Sequence, residues 1–266
     1  MKMEFKDKLV WITGASSGIG RELALRLATE GARLILSSHN AEELRPVAEE
    51  CRQHTSLCEE VVFDLSCPEL VERTGNEVAQ QHPDLFGLIN NGGISQRALA
   101  VDTPVELTRR IMEIDFFSYV VLTKAVLPNM LARGEGFIAA TSSISGKFGF
   151  PLRSAYAAAK HAIQGYFETL RAELKPHNIS VTVLYPGRIR TNISLHAVDG
   201  QGREHGQMDP GQLNGLPADI CAKRYLNAIR CRRAEQLIGR IELLPVHIKR
   251  FFPRLFFRIV TKINPT

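Results

Sequence analysis

The chain has 266 residues, 44% of them hydrophobic and 23% charged, with a formal net charge of +5. That length and apolar content suit one large globular unit with a full core, and exclude a disordered or collagen-like chain. The basic excess is mild and no basic run is interleaved with aromatics, so nucleic acid is not the expected partner.

Leu9 to Thr13 is a short apolar run ended by glycine, read as a buried strand. Thr13-Gly14-Ala15-Ser16-Ser17-Gly18-Ile19-Gly20 follows, and then Arg21 to Ala28 with Leu23 and Leu27 at helical spacing. Strand, glycine turn and helix in that order make a dinucleotide-site candidate. Glycines let backbone approach a pyrophosphate, and the helix N-terminus presents free N–H groups. Gly14, Ser16, Ser17, Gly18, Ile19 and Gly20 are the candidate residues there.

Arg33 to Ser37 predicts the second strand, ending in Ser38-His39-Asn40, where such folds read the adenosine ribose. No acid stands there for a ribose diol. His39 is either a partner for a 2′-phosphate or a loop histidine, and Asn40 caps a helix over 41–53. Val61 to Phe63 predicts the third strand. Asp64 and Leu65 follow it, Asp64 being either an acceptor for an adenine amino group or a turn residue. A helix over 69–81 leads to a fourth strand, Phe86 to Ile89, and to Asn90-Asn91-Gly92-Gly93, a composition suited to unusual dihedrals beside a ligand. One long helix is expected over 104–132, bent near Pro128.

Gly136 to Ala140 predicts the fifth strand and delivers Ser143 at its carboxyl end. In Ser154-Ala155-Tyr156-Ala157-Ala158-Ala159-Lys160, Tyr156 and Lys160 stand four apart on one face of a helix reaching to about residue 174. An ammonium one turn from a phenol favours the phenolate and makes proton transfer accessible near neutral pH. Ile179 to Leu184 predicts the sixth strand, before Tyr185-Pro186-Gly187. Residues 193–212, rich in Gly, His and Gln, read as a flexible lid within a substrate loop over about 190–215. A helix over 217–231 and a short strand at 236–238 complete the pattern.

Repeated strand–helix alternation predicts an α/β fold: a single doubly wound parallel sheet of about seven strands with helices on both faces. Ligands of such sheets bind beyond the strands' carboxyl ends, where the glycine turn, Asp64, Asn90, Ser143 and Pro186-Gly187 all fall. Residues 1–240 form the expected dinucleotide-binding catalytic domain, and 241–266 an extension mixing Phe251, Phe252, Phe256 and Phe257 with Lys249, Arg250, Arg254 and Arg258. The extension is suited to a membrane surface, to packing over a pocket, or to a subunit contact. No apolar run reads as a spanning helix or signal peptide. Cys51, Cys58, Cys67, Cys221 and Cys231 lack metal-ligand or redox spacing and read as reduced thiols, so no metal is expected.

Together these residues resemble the short-chain dehydrogenases/reductases over about residues 6–240. The turn from Thr13 to Gly20 is similar to that family's TGxxxGxG. Asn90 to Gly93 is similar to its NNAG, with Gly92 in place of alanine. Ser143, Tyr156 and Lys160 match its serine and YxxxK pair, and Pro186, Gly187 and Thr191, with Ile189 between them, match its PGxxxT stretch. The resemblance implies a Rossmann-type fold and hydride transfer between a nicotinamide cofactor and a carbonyl or secondary alcohol. In it Tyr156 is the proton carrier, Lys160 its activator and ribose ligand, and Ser143 the carbonyl-orienting group. Asp115 stands where the family places an asparagine, adding a charge near Lys160.

The absence of an acid at Ser37 or Ser38 favours NADP over NAD, which stays possible. An apolar substrate, lipid-, steroid- or retinoid-like, is expected from the extension. So are a cytoplasmic protein peripheral on a membrane through that extension, and a homodimer or homotetramer. The alternative is a catalytically weak nucleotide-binding regulator or scaffold on the same fold, for which Asp115 is the motive.

Overall fold

The structure, a computed structural model, describes residues 2–262. Its strands are Leu9–Thr13 (β1), Arg33–Ser38 (β2), Cys58–Val62 (β3), Gly87–Asn90 (β4), Gly136–Thr141 (β5), Ile179–Pro186 (β6), the short pair Ile189–Arg190 (β7) and Leu216–Pro217 (β8), and Glu235–Ile238 (β9). Its α-helices are Gly18–Thr29 (α1), Ala41–Arg52 (α2), Pro68–Gln81 (α3), Val105–Met112 (α4), Ser118–Arg133 (α5), Ser154–Leu174 (α6), Pro210–Leu213 (α7), Ala218–Arg230 (α8), Leu244–Phe251 (α9) and Pro253–Ile259 (α10). The main sheet runs β3-β2-β1-β4-β5-β6-β9, every pairing parallel. Strand order reverses between β1 and β4, which opens a crevice beyond their carboxyl ends.

Alternation along the strands builds two cores. Val10 and Ile12 face α1, α2 and α8 through Leu23, Leu27, Val47, Cys221 and Tyr225. Leu9 and Trp11 face α3, α5 and α6 through Val71, Leu122, Val126, Ile163 and Phe167. Burial on both faces is why the central strands read as unbroken apolar runs.

Three expectations shift. The third strand is Cys58–Val62, not 61–63. It pairs only with β2 and lies at the sheet edge, where Glu59 and Glu60 are tolerated and apolar content is a poor guide. The long helix expected over 104–132 is two α-helices joined by a π-turn, Glu113–Phe117, while Pro128 lies inside α5. The widened turn carries the fully buried Asp115. Residues 193–212 are not a featureless loop. Val198 N–H donates to the Ser95 carbonyl and Arg97 N–H to the Val198 carbonyl, both at 2.8 Å, and Ala197 and Val198 are buried.

The C-terminal extension makes contacts with the body of the chain. Phe256 is buried edge-on against Phe148, ring centres 5.3 Å apart, in a satellite cluster with Ile144. Lys249 Nζ donates to the Lys147 carbonyl at 2.7 Å. Phe251, Leu255 and Phe257 of these helices, and Phe252 between them, stay exposed. Residues 263–266 of the expected extension lie outside the described residues, and no described helix is long and apolar enough to cross a membrane.

Candidate active site

A cleft of about 910 Å³ runs across the carboxyl ends of the sheet. At one end lies the glycine turn. Gly14 (φ +64°) and Gly18 (φ +53°) adopt left-handed backbone that favours glycine. The turn is buttressed from β4: Asn91 Nδ2 donates to the Thr13 and Gly14 carbonyls, each at 3.2 Å. The Thr13 hydroxyl accepts from the N–H groups of Asn91 (3.0 Å) and Gly92 (3.1 Å). Gly14, Ser16, Ser17, Gly18 and Ile19 line the cleft, as do His39, Asp64 and Leu65.

Two of the expected binding residues lie elsewhere. Gly20 is a packing glycine: a Cβ there would stand 2.0 Å from the Gly14 carbonyl oxygen. Asn90 ends β4 turned from the cleft, its Nδ2 donating to Thr123 Oγ1 at 3.1 Å. Its neighbour Asn91 takes the cleft-side position, as strand alternation requires once β4 is known to end at Asn90.

Sequence reading also missed Glu43 of α2, which lines the same pocket as His39 and accepts from Ser16 Oγ at 3.4 Å. Glu43 stands in the first turn of α2, which puts a carboxylate beside the adenosine end without any motif to mark it.

At the cleft's centre the tyrosine, lysine and serine converge. Tyr156 and Lys160 stand one turn apart on α6, Lys160 Nζ 5.5 Å from the Tyr156 ring centre. The lysine is buried. Its Nζ donates to the Thr141 carbonyl at 3.1 Å and lies 3.0 Å from Asp115 Oδ2. That contact is ionic, not a directed hydrogen bond, since Oδ2 has no partner of good hydrogen-bond geometry. Asp115 Oδ1 accepts from Ile94 N–H at 2.8 Å.

Burial alone would pull the Lys160 ammonium down. Asp115 outweighs it, together with Tyr119 and Tyr156, and holds the ammonium above its ordinary range. Burial pushes the Asp115 carboxyl up, with Lys160 opposing. The two form a buried ion pair whose net charge is near zero.

Ser143 ends the β5 side of the cleft. Its Oγ accepts from Ser145 N–H at 3.1 Å, and its nearest acceptors, Ser145 Oγ and the Pro186 carbonyl, are distant at 3.3 and 3.5 Å. Its proton is therefore held weakly and is open to a substrate oxygen. The start of α6 is fixed by Gln96, whose Oε1 accepts from Ala155 N–H at 2.8 Å and Tyr156 N–H at 3.3 Å. No sequence signal pointed to Gln96, because it lies 60 residues from the helix it caps.

Gly187 N–H donates to the Ile238 carbonyl at 2.8 Å, and Thr191 packs against Gly18, which brings the Pro186–Thr191 stretch over the glycine turn. Pro186, Gly187, Ile189 and Thr191 all line the cleft. Ile144, Phe148 and Phe150, and also Arg97, Arg153 and Asp209, line the same cleft, with the Arg153 guanidinium 5.8 Å from the Phe150 ring centre.

A family profile described as short chain dehydrogenase matches residues 8–201. A protein of Xenopus tropicalis named dehydrogenase/reductase SDR family member 7B is 40% identical over 259 residues, covering 95% of this chain and 84% of that protein. A Drosophila melanogaster protein, dehydrogenase/reductase SDR family protein 7-like, is 37% identical over 268 residues, covering 97% and 81%. The structure of a short-chain dehydrogenase/reductase from Burkholderia phymatum in complex with NAD superposes with a TM-score of 0.83 at 23% identity, covering 99% of this chain and 98% of that one. One from Burkholderia cenocepacia in complex with NADP does so with a TM-score of 0.80 at 23% identity, covering 97% and 100%.

Proposed function

Because the chain belongs to the short-chain dehydrogenase/reductase family, we propose that it interconverts a carbonyl and a secondary alcohol with a nicotinamide dinucleotide as redox partner. The observation that carries this reading is the convergence of Tyr156, Lys160 and Ser143 on the cleft that the glycine turn also lines.

The residues present fit such a cofactor. The left-handed glycines leave backbone bare at the N-terminus of α1, where a pyrophosphate gains N–H groups and helix dipole. Gly14, Ser16, Ser17, Gly18 and Ile19 would hold it there, His39, Asp64 and Leu65 at the adenosine end, and Lys160, Pro186, Gly187, Ile189 and Thr191 at the nicotinamide end. Bound in this way, the cofactor supplies or accepts a hydride.

The protein's own share is the proton and the geometry. Tyr156 gives its proton to the substrate oxygen in reduction and takes it in oxidation. Lys160, fixed by Asp115 and the Thr141 carbonyl, stabilises the phenolate by charge. Ser143 donates its loosely held hydroxyl proton to the same oxygen and fixes its position.

We favour NADP(H), with NAD(H) as the alternative. No acid ends β2, and His39 opens onto the adenosine end of the cleft. Glu43 opposes this preference and tempers it. An apolar substrate suits the wall of Ile144, Phe148 and Phe150 and the tail behind it. The exposed phenylalanines set among Arg250, Arg254 and Arg258 suit a cytoplasmic protein resting on an anionic membrane surface. Exposed Val105 and Phe117 on the α4–α5 segment suit a homodimer or homotetramer.

The test is cofactor oxidation across a panel of long-chain ketones, steroids and retinoids. Tyr156→Phe should remove most turnover and leave cofactor affinity, read by nucleotide fluorescence, nearly intact. Tight cofactor binding with no turnover on any carbonyl or alcohol would favour the regulator reading instead.

A further inference from the structure

Strands β6 and β9 end side by side, Pro186 against Ile238, and each is followed by a glycine, Gly187 and Gly239. Neither glycine takes left-handed backbone, so conformation does not call for glycine at either place. What calls for it is space. A Cβ on Gly187 would stand 2.6 Å from Glu242 Oε1 and 2.8 Å from Glu242 Cγ, and a Cβ on Gly239 would also stand 2.6 Å from Glu242 Oε1. Two glycines at neighbouring strand ends therefore form a socket for one carboxylate.

Glu242 belongs to a short 3₁₀ turn, Ile241–Leu243, at the head of the C-terminal extension. The chain folds back there, three residues after Gly239, and brings the side chain over both strand ends. Glu242 Oε1 accepts from Arg188 N–H at 3.1 Å. The residues that follow are anchored as well: Leu243 and Val246 pack against the cluster of Ile144, Phe148 and Phe256. Ile241, Glu242 and Pro245 all line the cleft.

The bond to Arg188 matters because of the stretch it holds. Gly187 N–H bonds to β9, and the Arg188 carbonyl accepts from Leu216 N–H of β8 at 2.8 Å. Those are pairings of backbone with backbone. Arg188 N–H bonds instead to a side chain that the extension supplies. Taking that carboxylate away would leave the N–H to water and loosen the peptide that leads into Ile189 and Thr191. Hydrogen bonds to a charged acceptor are also the stronger kind.

We propose that Glu242 is a positioning residue for the nicotinamide end of the cofactor site. The head of the C-terminal extension is then part of that site, and not only a cover over the substrate. Through the glycine socket and Arg188 N–H, Glu242 sets the path of Pro186–Thr191, the stretch that would hold the nicotinamide half. The adenosine end is built on β2 and the start of α2, across the sheet from β6 and β9, and shares no residue with the socket. This inference rests on the oxidoreductase reading and deepens it.

The test uses the full chain as parent, Glu242→Ala and Glu242→Gln. Each is titrated by calorimetry with two matched pairs, NAD with ADP-ribose and NADP with 2′-phospho-ADP-ribose. The second member of each pair keeps the adenosine, the pyrophosphate and both riboses, and lacks the nicotinamide. Glu242→Ala should weaken binding of the dinucleotide by about tenfold, the scale of one lost hydrogen bond to a charged group. Binding of its nicotinamide-free partner should stay nearly unchanged. Glu242→Gln keeps an acceptor of the same reach and should recover most of the loss.

A loss shared equally by both members of a pair would overturn the proposal, because it would mark a general structural effect. So would full dinucleotide affinity in Glu242→Ala, or a Glu242→Gln variant as weak as the alanine one. If Glu242→Ala does not fold, hydrogen exchange on the parent chain decides. The dinucleotide should slow exchange of the 239–243 amides more than its nicotinamide-free partner does, and equal protection would overturn the proposal. Turnover with a cofactor affinity indifferent to Glu242 would sink this inference alone. Glu242-dependent dinucleotide binding with no turnover on any carbonyl or alcohol would sink the oxidoreductase reading alone. A parent chain that binds neither dinucleotide would sink both.

Discussion

Replacing Asp115 by asparagine removes one negative charge from the centre of the site and keeps the acceptor for Ile94 N–H. The carboxylate lies 3.0 Å from Lys160 Nζ, which lies 5.5 Å from the centre of the Tyr156 ring, so Asp115 Oδ2 and the ring centre are at most about 8.5 Å apart. At roughly 8 Å and an effective dielectric of about 20 to 40, a unit charge is worth about 1–2 kcal/mol. That corresponds to about one pH unit.

The sign follows from the net charge. When the Tyr156–Lys160 pair sheds a proton, the site becomes more negative, whichever of the two groups loses it. Asp115 resists that change, so Asp115→Asn should lower the apparent pKa of the pair. The pH profile of kcat/KM for alcohol oxidation, which needs the deprotonated pair, should therefore move about one unit to lower pH. A thermal melt on the same sample checks folding, because the variant also leaves the buried Lys160 without its counter-ion. An unmoved profile in a folded, active variant would refute the argument and leave Asp115 as a structural stand-in for asparagine. A shift to higher pH would refute it more directly.

Glu43→Gln should raise NADP(H) affinity relative to NAD(H) by about fivefold, the scale of one partly exposed charge interaction. Parallel fluorescence titrations check it, and an unchanged ratio would remove Glu43 from the adenosine end. Gly92→Ala restores the alanine that the family places there, but a Cβ would stand 2.6 Å from Leu65 Cδ1. It should cost about 1 kcal/mol by overpacking, read from denaturant melts, and Leu65→Ala in the same chain should recover most of the loss. Phe256→Ala empties the socket against Phe148 and should cost about 3 kcal/mol of stability, together with a raised KM for apolar carbonyls. Full thermal stability and an unchanged KM would show that the tail only rests on the surface. Removing Phe251 to Thr266 should also reduce partitioning onto anionic liposomes, and unchanged partitioning would end the membrane reading.

Much of the site could be read in the sequence because its chemistry is local. The glycine turn, Tyr156 with Lys160, and Pro186-Gly187 each lie within a few residues of a strand end, and strand ends are where α/β sheets bind. The residues that escaped are brought together from far apart. Arg97 and Asp209 are 112 residues apart in the chain, and Gln96 caps a helix 60 residues away. No periodicity carries such pairings. The π-turn at Glu113–Phe117 escaped for another reason: one extra residue in a turn leaves apolar spacing nearly unchanged, while it redirects Asp115 inward. Asn90 falls on the wrong face because β4 ends at Asn90, one residue beyond the expected Ile89, and in a strand a shift of one residue reverses the face.

The fastenings around the cleft differ in kind, and that sets its doorway. Swinging the 193–212 segment outward would break two backbone hydrogen bonds to the Ser95–Arg97 segment and the buried Arg97–Asp209 bridge. That amounts to roughly 5 kcal/mol or more. It would also disturb the strand of chain that holds Gln96 under Tyr156. Lifting the C-terminal helices instead breaks the Lys249–Lys147 bond and uncovers the apolar cluster of Phe256, Phe148 and Ile144, non-directional contacts that an entering alkyl chain can replace. A ligand with a long chain would therefore come and go beneath the tail. Whatever the exposed face of that tail rests on stands at the threshold, and a surface that holds the tail's outer phenylalanines would set the rate at which substrate reaches Tyr156 without touching the reacting groups.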